Sequence, residues 1–124
     1  METFKNLPEY KQGNYEAALT KCFIKLDEMM NPEKANAEVC QFSMATGCTA
    51  CVAIITKDRI ICANSGDSRC VIGRGQTALE MSEDHKPDNI GEKKRIEAAG
   101  GFVEEGRVRG ILSLSRALGD LEYK

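Results

Sequence analysis

The sequence predicts an α+β fold, an antiparallel β-meander or sandwich flanked by helices. Two patterns support this class. Apolar residues recur at helical spacing near the N-terminus, and four short strand-like segments then follow one another across turns. The chain has 124 residues, a length typical of one compact domain. We therefore expect a single domain over residues 1–124, with helices on either side of a set of antiparallel strands.

An amphipathic helix is predicted over residues 14–30. Its apolar residues recur three and four positions apart, so they share one face of the helix. They are Tyr15, Ala18, Leu19, Cys22, Phe23, Leu26, Met29 and Met30. Asn14 provides a start, and Pro32 provides a stop because proline disfavours helical geometry in the residue before it. This stripe is interpreted as core packing, and the polar residues 32–39 as a loop.

Four strands are predicted at residues 49–56, 60–64, 70–72 and 77–81. Short polar turns separate them, and consecutive short strands joined in this way are typical of an antiparallel meander. The second strand is apolar at four successive positions, which is typical of a strand covered on both faces. We therefore expect it to lie at the centre of the sheet.

A second helix is predicted over residues 90–99, with Asp88 or Asn89 as its N-cap and the glycine pair at 100–101 as its exit. Residues 102–109 then have the pattern of a small hairpin that turns at Gly106.

The final segment, residues 112–118, is predicted to be a short helix. Arg116 and Asp120 are interpreted as the groups that tie this helix to the sheet through charge-assisted hydrogen bonds. That role is structural.

Composition excludes several classes of function. The 17 Lys and Arg residues nearly balance the 19 Asp and Glu residues, and the net charge is −2. No overall positive field therefore attracts nucleic acid or an anionic membrane. Apolar runs fall short of the ~20 residues that span a bilayer, and the first ten residues lack the apolar core of a secretory signal. We expect a soluble protein with no nucleic-acid or membrane partner, located in the cytoplasm or nucleus.

The six cysteines are interpreted as buried free thiols. Most of them fall inside apolar segments, where free cysteine is commonly buried. Cys48 and Cys51 form a C-x-x-C pair, but no second pair with zinc-finger spacing follows. The single histidine, His85, lies far along the chain and is interpreted as a brace for the loop before the second helix.

Five short blocks of sequence carry a family resemblance. They are Thr46-Gly47-Cys48-Thr49-Ala50, Asn64-Ser65-Gly66-Asp67-Ser68-Arg69, Asp84-His85-Lys86-Pro87, Glu97-Ala98-Ala99-Gly100-Gly101 and Leu114-Ser115-Arg116-Ala117-Leu118-Gly119-Asp120. In order and spacing these blocks resemble the metal-dependent serine/threonine protein phosphatases of type 2C. Any one block alone would be weak evidence, because four-residue matches arise by chance. Five in sequence, over residues 46–120, cover most of the chain.

The resemblance implies hydrolysis of phosphoserine and phosphothreonine by a water molecule that magnesium or manganese activates. It implies a fold of two antiparallel sheets flanked by helices. It also implies that Asp67 is a metal ligand, since Asp67 matches an aspartate that approaches a third, weaker metal in that family. The alternative is that Asp67 and Ser68 cap backbone amides of a tight turn. One carboxylate cannot hold magnesium firmly, so we expect no tightly bound metal in these residues alone.

Other family blocks are absent from this sequence, namely an early Asp-Gly-His-Gly block, a later Asp-Gly segment and an Asp-Asn pair. In the family they supply most ligands of a paired metal centre and a histidine that protonates the leaving group. We therefore assign no catalytic or cofactor-binding residue, and His85 does not take the histidine's role. The isolated chain is expected to hydrolyse a phosphate ester with manganese no faster than its Asp67→Ala variant.

Residues 87–110 match the family's flap, a mobile subdomain beside the active site. Its cations could meet the acidic flank of a phosphoprotein substrate, or they could simply form a solvated face. They are Lys93, Lys94, Arg95, Arg107 and Arg109.

A non-catalytic role is the alternative to a phosphatase. An incomplete sandwich should expose strand edges and apolar faces. A chain of this kind would bind other proteins or self-associate, and we expect a dimer or larger species.

Overall fold

The computed structural model describes residues 1–31 and 44–124. The predicted loop at 32–39 lies outside these residues. The helices are α1 (Glu2–Lys5), α2 (Pro8–Lys11), α3 (Tyr15–Met30) and α4 (Ile90–Ala98), with a 3-10 turn at Leu121–Tyr123. The strands are β1 (Gly47–Cys48), β2 (Ala50–Ile55), β3 (Ile60–Ser65), β4 (Val71–Arg74), β5 (Thr77–Glu80), β6 (Val103–Glu104), β7 (Arg107–Val108) and β8 (Leu118–Gly119). The predicted α+β class with antiparallel pairing is confirmed.

Helix α3 confirms the predicted N-terminal helix. The Asn14 side chain accepts a hydrogen bond of 3.2 Å from the Ala17 amide, which satisfies one of the free N–H groups at the helix start. The core-facing side buries Ala18, Leu19 and Cys22. Met29 is half exposed, so the interpretation of the whole apolar stripe as core is wrong at the last turn.

The core lies where α3 meets the β2–β3 hairpin. It contains Phe4, Ala18, Leu19, Cys22 and Ile61. Helices α1 and α2 close the core from the N-terminal side, and the ring of Phe4 packs edge-on against Tyr10 at 4.9 Å. The sequence pattern predicts neither α1 nor α2, because four-residue helices are too short to show a periodic pattern. None of the described helices is long and apolar enough to cross a bilayer.

The strands form separate antiparallel pairs. Strands β2 and β3 pair from Ala50–Ser65 to Ile55–Ile60, and β4 pairs with β5. The predicted positions of these four strands are therefore right, but β3 and β4 are not paired with each other. Within the described residues β3 pairs with β2 alone, and Ile60 is 42% exposed. The expectation of a central β3, covered on both faces, is wrong.

The two faces of the β2–β3 hairpin differ. Alternate side chains point to opposite faces of a strand. The face with Ile54, Ile61 and Ala63 packs against the core. The opposite face is mostly exposed and includes Ile55, whose exposed fraction is 77%. We call it the outer face of the hairpin.

Helix α4 and the β6–β7 hairpin confirm two further predictions. Gly100 has a φ of +82° directly after the helix, which is the left-handed exit expected of glycine. The hairpin turns at Glu105 and Gly106, both with positive φ.

The predicted helix at residues 112–118 is wrong. Leu118 pairs with Cys48 in the short β1–β8 ladder, and the preceding residues run as turns and bends. The Ser115 amide donates 3.2 Å to the His85 carbonyl, so hydrogen bonds to distant segments replace those a helix would make. Gly119 has a φ of +80°, a conformation that a helix does not use. Tertiary pairing has overridden local propensity.

Candidate functional site

Asp67 lies in the loop that follows β3, and the residue before it is anchored on both sides of its peptide. The Gly66 amide donates 3.2 Å to Nδ1 of His85. The Gly66 carbonyl accepts 2.9 Å from the His85 amide and 3.0 Å from the Asn64 side chain. His85 was predicted to brace the loop before the second helix; in the structure it ties that segment to the loop after β3. The backbone that presents Asp67 is therefore fixed from both directions.

Gly66 also allows a close approach of three segments. Its φ is +111°, and a Cβ there would lie 2.5 Å from Cγ2 of Thr49 and 3.2 Å from the carbonyl oxygen of Arg116. The hydroxyl groups of Thr49 and Ser68 are 2.7 Å apart and share a hydrogen bond. The Asp67 loop is thus clamped between the start of β2 and the segment before β8.

The Asp67 side chain is available to a ligand. It is 32% exposed, and its Oδ2 lies 4.0 Å from the ammonium of Lys86. Exposed ion pairs of this length are weak. Within the described residues Asp67 caps no turn amide, and Ser68 bonds to Thr49, so the turn-capping alternative does not describe the contacts in this loop.

The fit of a hard divalent cation to this loop is partial. A carboxylate oxygen is the ligand type that magnesium and manganese prefer, and such ions take about six oxygens. In residues 1–31 and 44–124, no set of three acidic, histidine or cysteine side chains gathers around Asp67. Asp67 can supply one ligand, and the other oxygens have to come from outside the described residues or from water.

An Arg–carboxylate pair ties the loop to the segment before α4. Nε and Nη2 of Arg69 donate to the two carboxylate oxygens of Asp84 at 2.9 and 2.8 Å. The hydrogen bond from Arg69 holds the pKa of Asp84 below its ordinary value. Because both oxygens of Asp84 are held by Arg69, the segment that continues to His85 has a fixed orientation relative to the loop after β3.

A buried carboxylate joins α4 to the C-terminal segment. Glu92 accepts from Nε and Nη2 of Arg116 at 3.0 and 2.7 Å, from Arg95 at 2.9 Å and from the Ser115 hydroxyl at 2.7 Å. Burial alone would raise the pKa of Glu92, but the hydrogen bonds from Arg116, Arg95 and Ser115 outweigh it and lower the pKa to about 2. We call these four residues the Glu92 cluster.

The Glu92 cluster corrects the role predicted for Arg116. Arg116 does not tie a terminal helix to the sheet but binds α4. Asp120 is buried beside the β1–β8 ladder, where its amide donates 2.9 Å to the Thr46 carbonyl, and burial raises the pKa of its carboxyl group. Sequence reasoning missed Glu92, although Asn89-x-x-Glu92 has the spacing of a helix-capping box that could have drawn attention to it.

The predicted flap cations fall into two groups. Arg107 donates 2.7 Å to the Ile111 carbonyl, and Arg109 donates 3.4 Å to the Glu122 carbonyl while its guanidinium lies 5.7 Å from the Tyr123 ring centre. With Arg95 in the Glu92 cluster, all three arginines have structural contacts. Lys93 and Lys94 are exposed, and neither has an ion-pair partner in the part of the chain that the structure describes.

A cavity of about 750 Å³ lies between α3, β3, α4 and the C-terminal segment. Phe23, Ile96 and Leu114 give it an apolar lining, and His85 and Arg116 reach it from the loop and from the Glu92 cluster. Asp67 does not line this cavity. The structure thus separates Asp67 from this space, whose lining is partly apolar and partly charged.

The sequence of this chain is similar to that of a known protein family. The sequence profile described as "Protein phosphatase 2C" matches residues 2–124. The chain belongs to the protein phosphatase 2C family. It is 51% identical over 129 aligned residues to "Probable protein phosphatase 2C 6" of Paramecium tetraurelia, covering 99% of this chain and 43% of that protein. It is 47% identical to "Protein phosphatase 2C homolog 2" of Schizosaccharomyces pombe, covering 99% of this chain and 32% of that protein.

The fold agrees with membership of the protein phosphatase 2C family. The structure is similar to that of a phosphatase from Toxoplasma gondii, with a TM-score of 0.57 and 20% identity, over 98% of this chain and 50% of that one. At this identity the likeness concerns the fold alone. The chain spans less than half the length of these curated relatives.

Proposed function

We propose that this chain forms part of a protein serine/threonine phosphatase, which hydrolyses phosphoserine and phosphothreonine with metal-activated water. The match of the protein phosphatase 2C profile to residues 2–124 carries this proposal. The anchored loop supports it, since hydrogen bonds from two segments hold the backbone of Gly66 and leave the next side chain, Asp67, partly exposed.

Magnesium or manganese is the proposed cofactor, with Asp67 as one oxygen ligand at the edge of the metal site. When bound, such an ion lowers the pKa of water and offsets charge on the phosphate oxygens. The contribution of this chain is the position of Asp67. That position is supported through the neighbouring residue, since the Gly66 amide donates to Nδ1 of His85 and the Gly66 carbonyl accepts from the Asn64 side chain.

The proposed substrate is a phosphoprotein, and Lys93 and Lys94 are proposed to meet an acidic stretch beside its phosphorylated residue. Their ammonium groups are exposed and unpaired within the described residues, so they can contact a ligand without breaking an internal ion pair. Arg107 and Arg109 were predicted for the same role, but both already bond to backbone carbonyls of this chain. The two lysines are therefore the stronger candidates.

A chimera tests the phosphatase proposal. The matching segment of the Paramecium relative would be replaced by residues 1–124, and hydrolysis of a phosphothreonine peptide would be measured with Mn²⁺. We expect an active chimera. Asp67→Asn in it should lower turnover by roughly 10- to 100-fold and raise the Mn²⁺ concentration that gives half-maximal rate, since it removes ligand charge at constant size.

Asp58→Asn is the matched control, because Asp58 lies in the exposed turn between β2 and β3 and its carboxylate is 79% exposed. Turnover of this variant should equal that of the parent chimera. A chimera that is folded by circular dichroism but inactive would overturn the proposed function. An active chimera indifferent to Asp67→Asn would remove Asp67 from the metal site.

Self-association of the isolated chain is a further proposal. Ile55 is 77% exposed on the outer face of the hairpin, and Val71 on β4 is 55% exposed. Strand pairs with open edges and exposed apolar side chains favour pairing with a second copy. Size-exclusion chromatography with light scattering should give twice the monomer mass of 13.6 kDa or more. Weak dimers have dissociation constants of roughly 100 μM. A stable monomer at about that concentration would contradict the proposed self-association.

A further inference from the structure

Three cysteines converge on the outer face of the β2–β3 hairpin. Cys51 lies on β2 opposite Asn64, and Cys62 lies on β3 opposite Ala53. These two residue pairs are two register positions apart, so both cysteine side chains point to the same face. Cys70 comes from the loop before β4. The three sulfur atoms all lie within 4.8 Å of one another. We call these residues the thiol cluster.

Backbone hydrogen bonds fix the position of Cys70. Its amide donates 2.8 Å to the Ser82 hydroxyl, and its carbonyl accepts 2.9 Å from the Met81 amide. The antiparallel register fixes the other two cysteines. The thiol cluster is thus assembled from two strands and an anchored loop, and it needs little rearrangement to act as one unit.

The thiol cluster is open on one side. Cys51 is exposed, while Cys62 and Cys70 are half-buried. Burial, together with hydrogen bonds to Cys70 and Cys51, raises the pKa of the Cys62 thiol to about 12. At neutral pH Cys62 is therefore protonated and a poor nucleophile, because the reactive form is the thiolate. A metal ion can enter past Cys51 and displace the proton of Cys62.

We propose that Cys51, Cys62 and Cys70 form a binding site for a soft, thiol-seeking metal ion, with Zn²⁺ as its natural occupant. Three sulfur ligands with water in the fourth position satisfy zinc. A Zn–S distance of ~2.3 Å in tetrahedral geometry places the sulfurs about 3.8 Å apart, so the cluster has to contract by about 1 Å or less. On binding, the three thiols release their protons to solvent, and each sulfur forms one bond to the metal ion.

This site is independent of the proposed phosphatase chemistry. Sulfur ligands select soft ions, whereas magnesium and manganese prefer the oxygen ligands that Asp67 offers. In the part of the chain that the structure describes, no other group of three metal-ligating side chains is as compact. A zinc ion here would link the β2–β3 hairpin to the loop before β4, a strand that does not pair with this hairpin.

Disulfide formation is the competing chemistry of such a cluster. It would join two of the sulfurs at ~2.05 Å, leave the third free and need an oxidant. Metal binding uses all three sulfurs and no oxidant, so a titration under reducing conditions separates the two.

Cadmium titration of the 124-residue chain in the presence of a phosphine reductant tests the site. The thiolate-to-cadmium absorption in the ultraviolet reports sulfur ligands, and added Zn²⁺ should displace one equivalent. We expect Cys51→Ser, Cys62→Ser and Cys70→Ser each to weaken Cd²⁺ binding at least 100-fold, because loss of an outer-shell partner alone costs roughly 10- to 100-fold. Cys48→Ser is the matched control, an exposed cysteine outside the cluster, and should bind as wild type does.

Clear outcomes would overturn the thiol cluster as a metal site. One is Cd²⁺ binding that Cys62→Ser leaves unchanged. Another is weakening by Cys48→Ser equal to that by Cys51→Ser. A reduced chain that binds no Cd²⁺ but loses two hydrogens per molecule in air would make the cluster a disulfide site. Because Cys51 is exposed, its serine variant should keep the fold, so the test stands even if Cys62→Ser unfolds the chain.

Discussion

Gly66→Ala is expected to destabilise the fold by roughly 2–4 kcal/mol, which is a large part of the stability of a small domain. The substitution combines two costs. The φ of +111° is strained for alanine, and the new methyl group would overlap the side chain of Thr49. Urea unfolding followed by circular dichroism measures the change, and the midpoint should fall well below that of the wild type.

Gly73→Ala is the control for this experiment. A Cβ at Gly73 meets nothing within 4 Å, and the residue lies in an exposed strand without a positive φ. Its urea midpoint should stay near that of the wild type. If Gly66→Ala unfolded at the same urea concentration as Gly73→Ala, the close approach of the Asp67 loop to Thr49 would not exist in solution.

Glu92→Gln is expected to cost roughly 2–3 kcal/mol at pH 7 and little near pH 2. The folded pKa of Glu92 is about 2, below the ordinary 4.5, so its ionised form stabilises the native state. This contribution is fully present above pH 4.5, decreases as the pH falls from 4.5 to 2, and is absent below 2. The difference in unfolding free energy between wild type and variant should follow the same course.

Glu97→Gln on the same helix is the matched control for charge, because Glu97 is exposed. Urea titrations at several pH values between 7 and 3 would compare the three proteins. A constant gap between wild type and Glu92→Gln across this range would contradict the role of the ionised Glu92 cluster. A similar pH-dependent gap for Glu97→Gln would attribute the effect to helix charge in general.

Local signals predicted the elements whose cause is local. The period of the apolar residues in α3, the glycine after α4 and the turn at Gly106 each depend on neighbouring residues, and the structure confirms all three. The segment at 112–118 was predicted wrongly because its conformation depends on distant partners, among them Cys48 and the His85 carbonyl. Propensity carries no information about such partners.

The residues of the candidate site also divide into those found from local sequence and those that depend on distant partners. The motif around Asp67 could be found in the sequence, since it is contiguous. Glu92 and Arg116 are 24 residues apart, and their pairing depends on how α4 lies against the C-terminal segment. The C-x-x-C spacing drew attention to Cys48 with Cys51, yet both are exposed and the structure groups Cys51 with Cys62 and Cys70 instead.

Some predictions stay predictions. The single domain over residues 1–124, the flap at 87–110 and a cytoplasmic or nuclear location rest on sequence reasoning alone. The expected lack of activity in the isolated chain also stays a prediction.

The ladder between β1 and β8 has a consequence for the order of folding. Cys48 and Leu118 pair across most of the chain, and the Gly119 amide also donates 2.9 Å to Asp27 on α3. Closing so long a loop costs entropy that grows as the logarithm of its length, about 0.6 kcal/mol per doubling. Hairpins and α3 can nucleate without this cost, while the C-terminal strand has to wait for them. Strand β8 should therefore pair last during folding and separate first during unfolding, after the hairpins and α3 have formed.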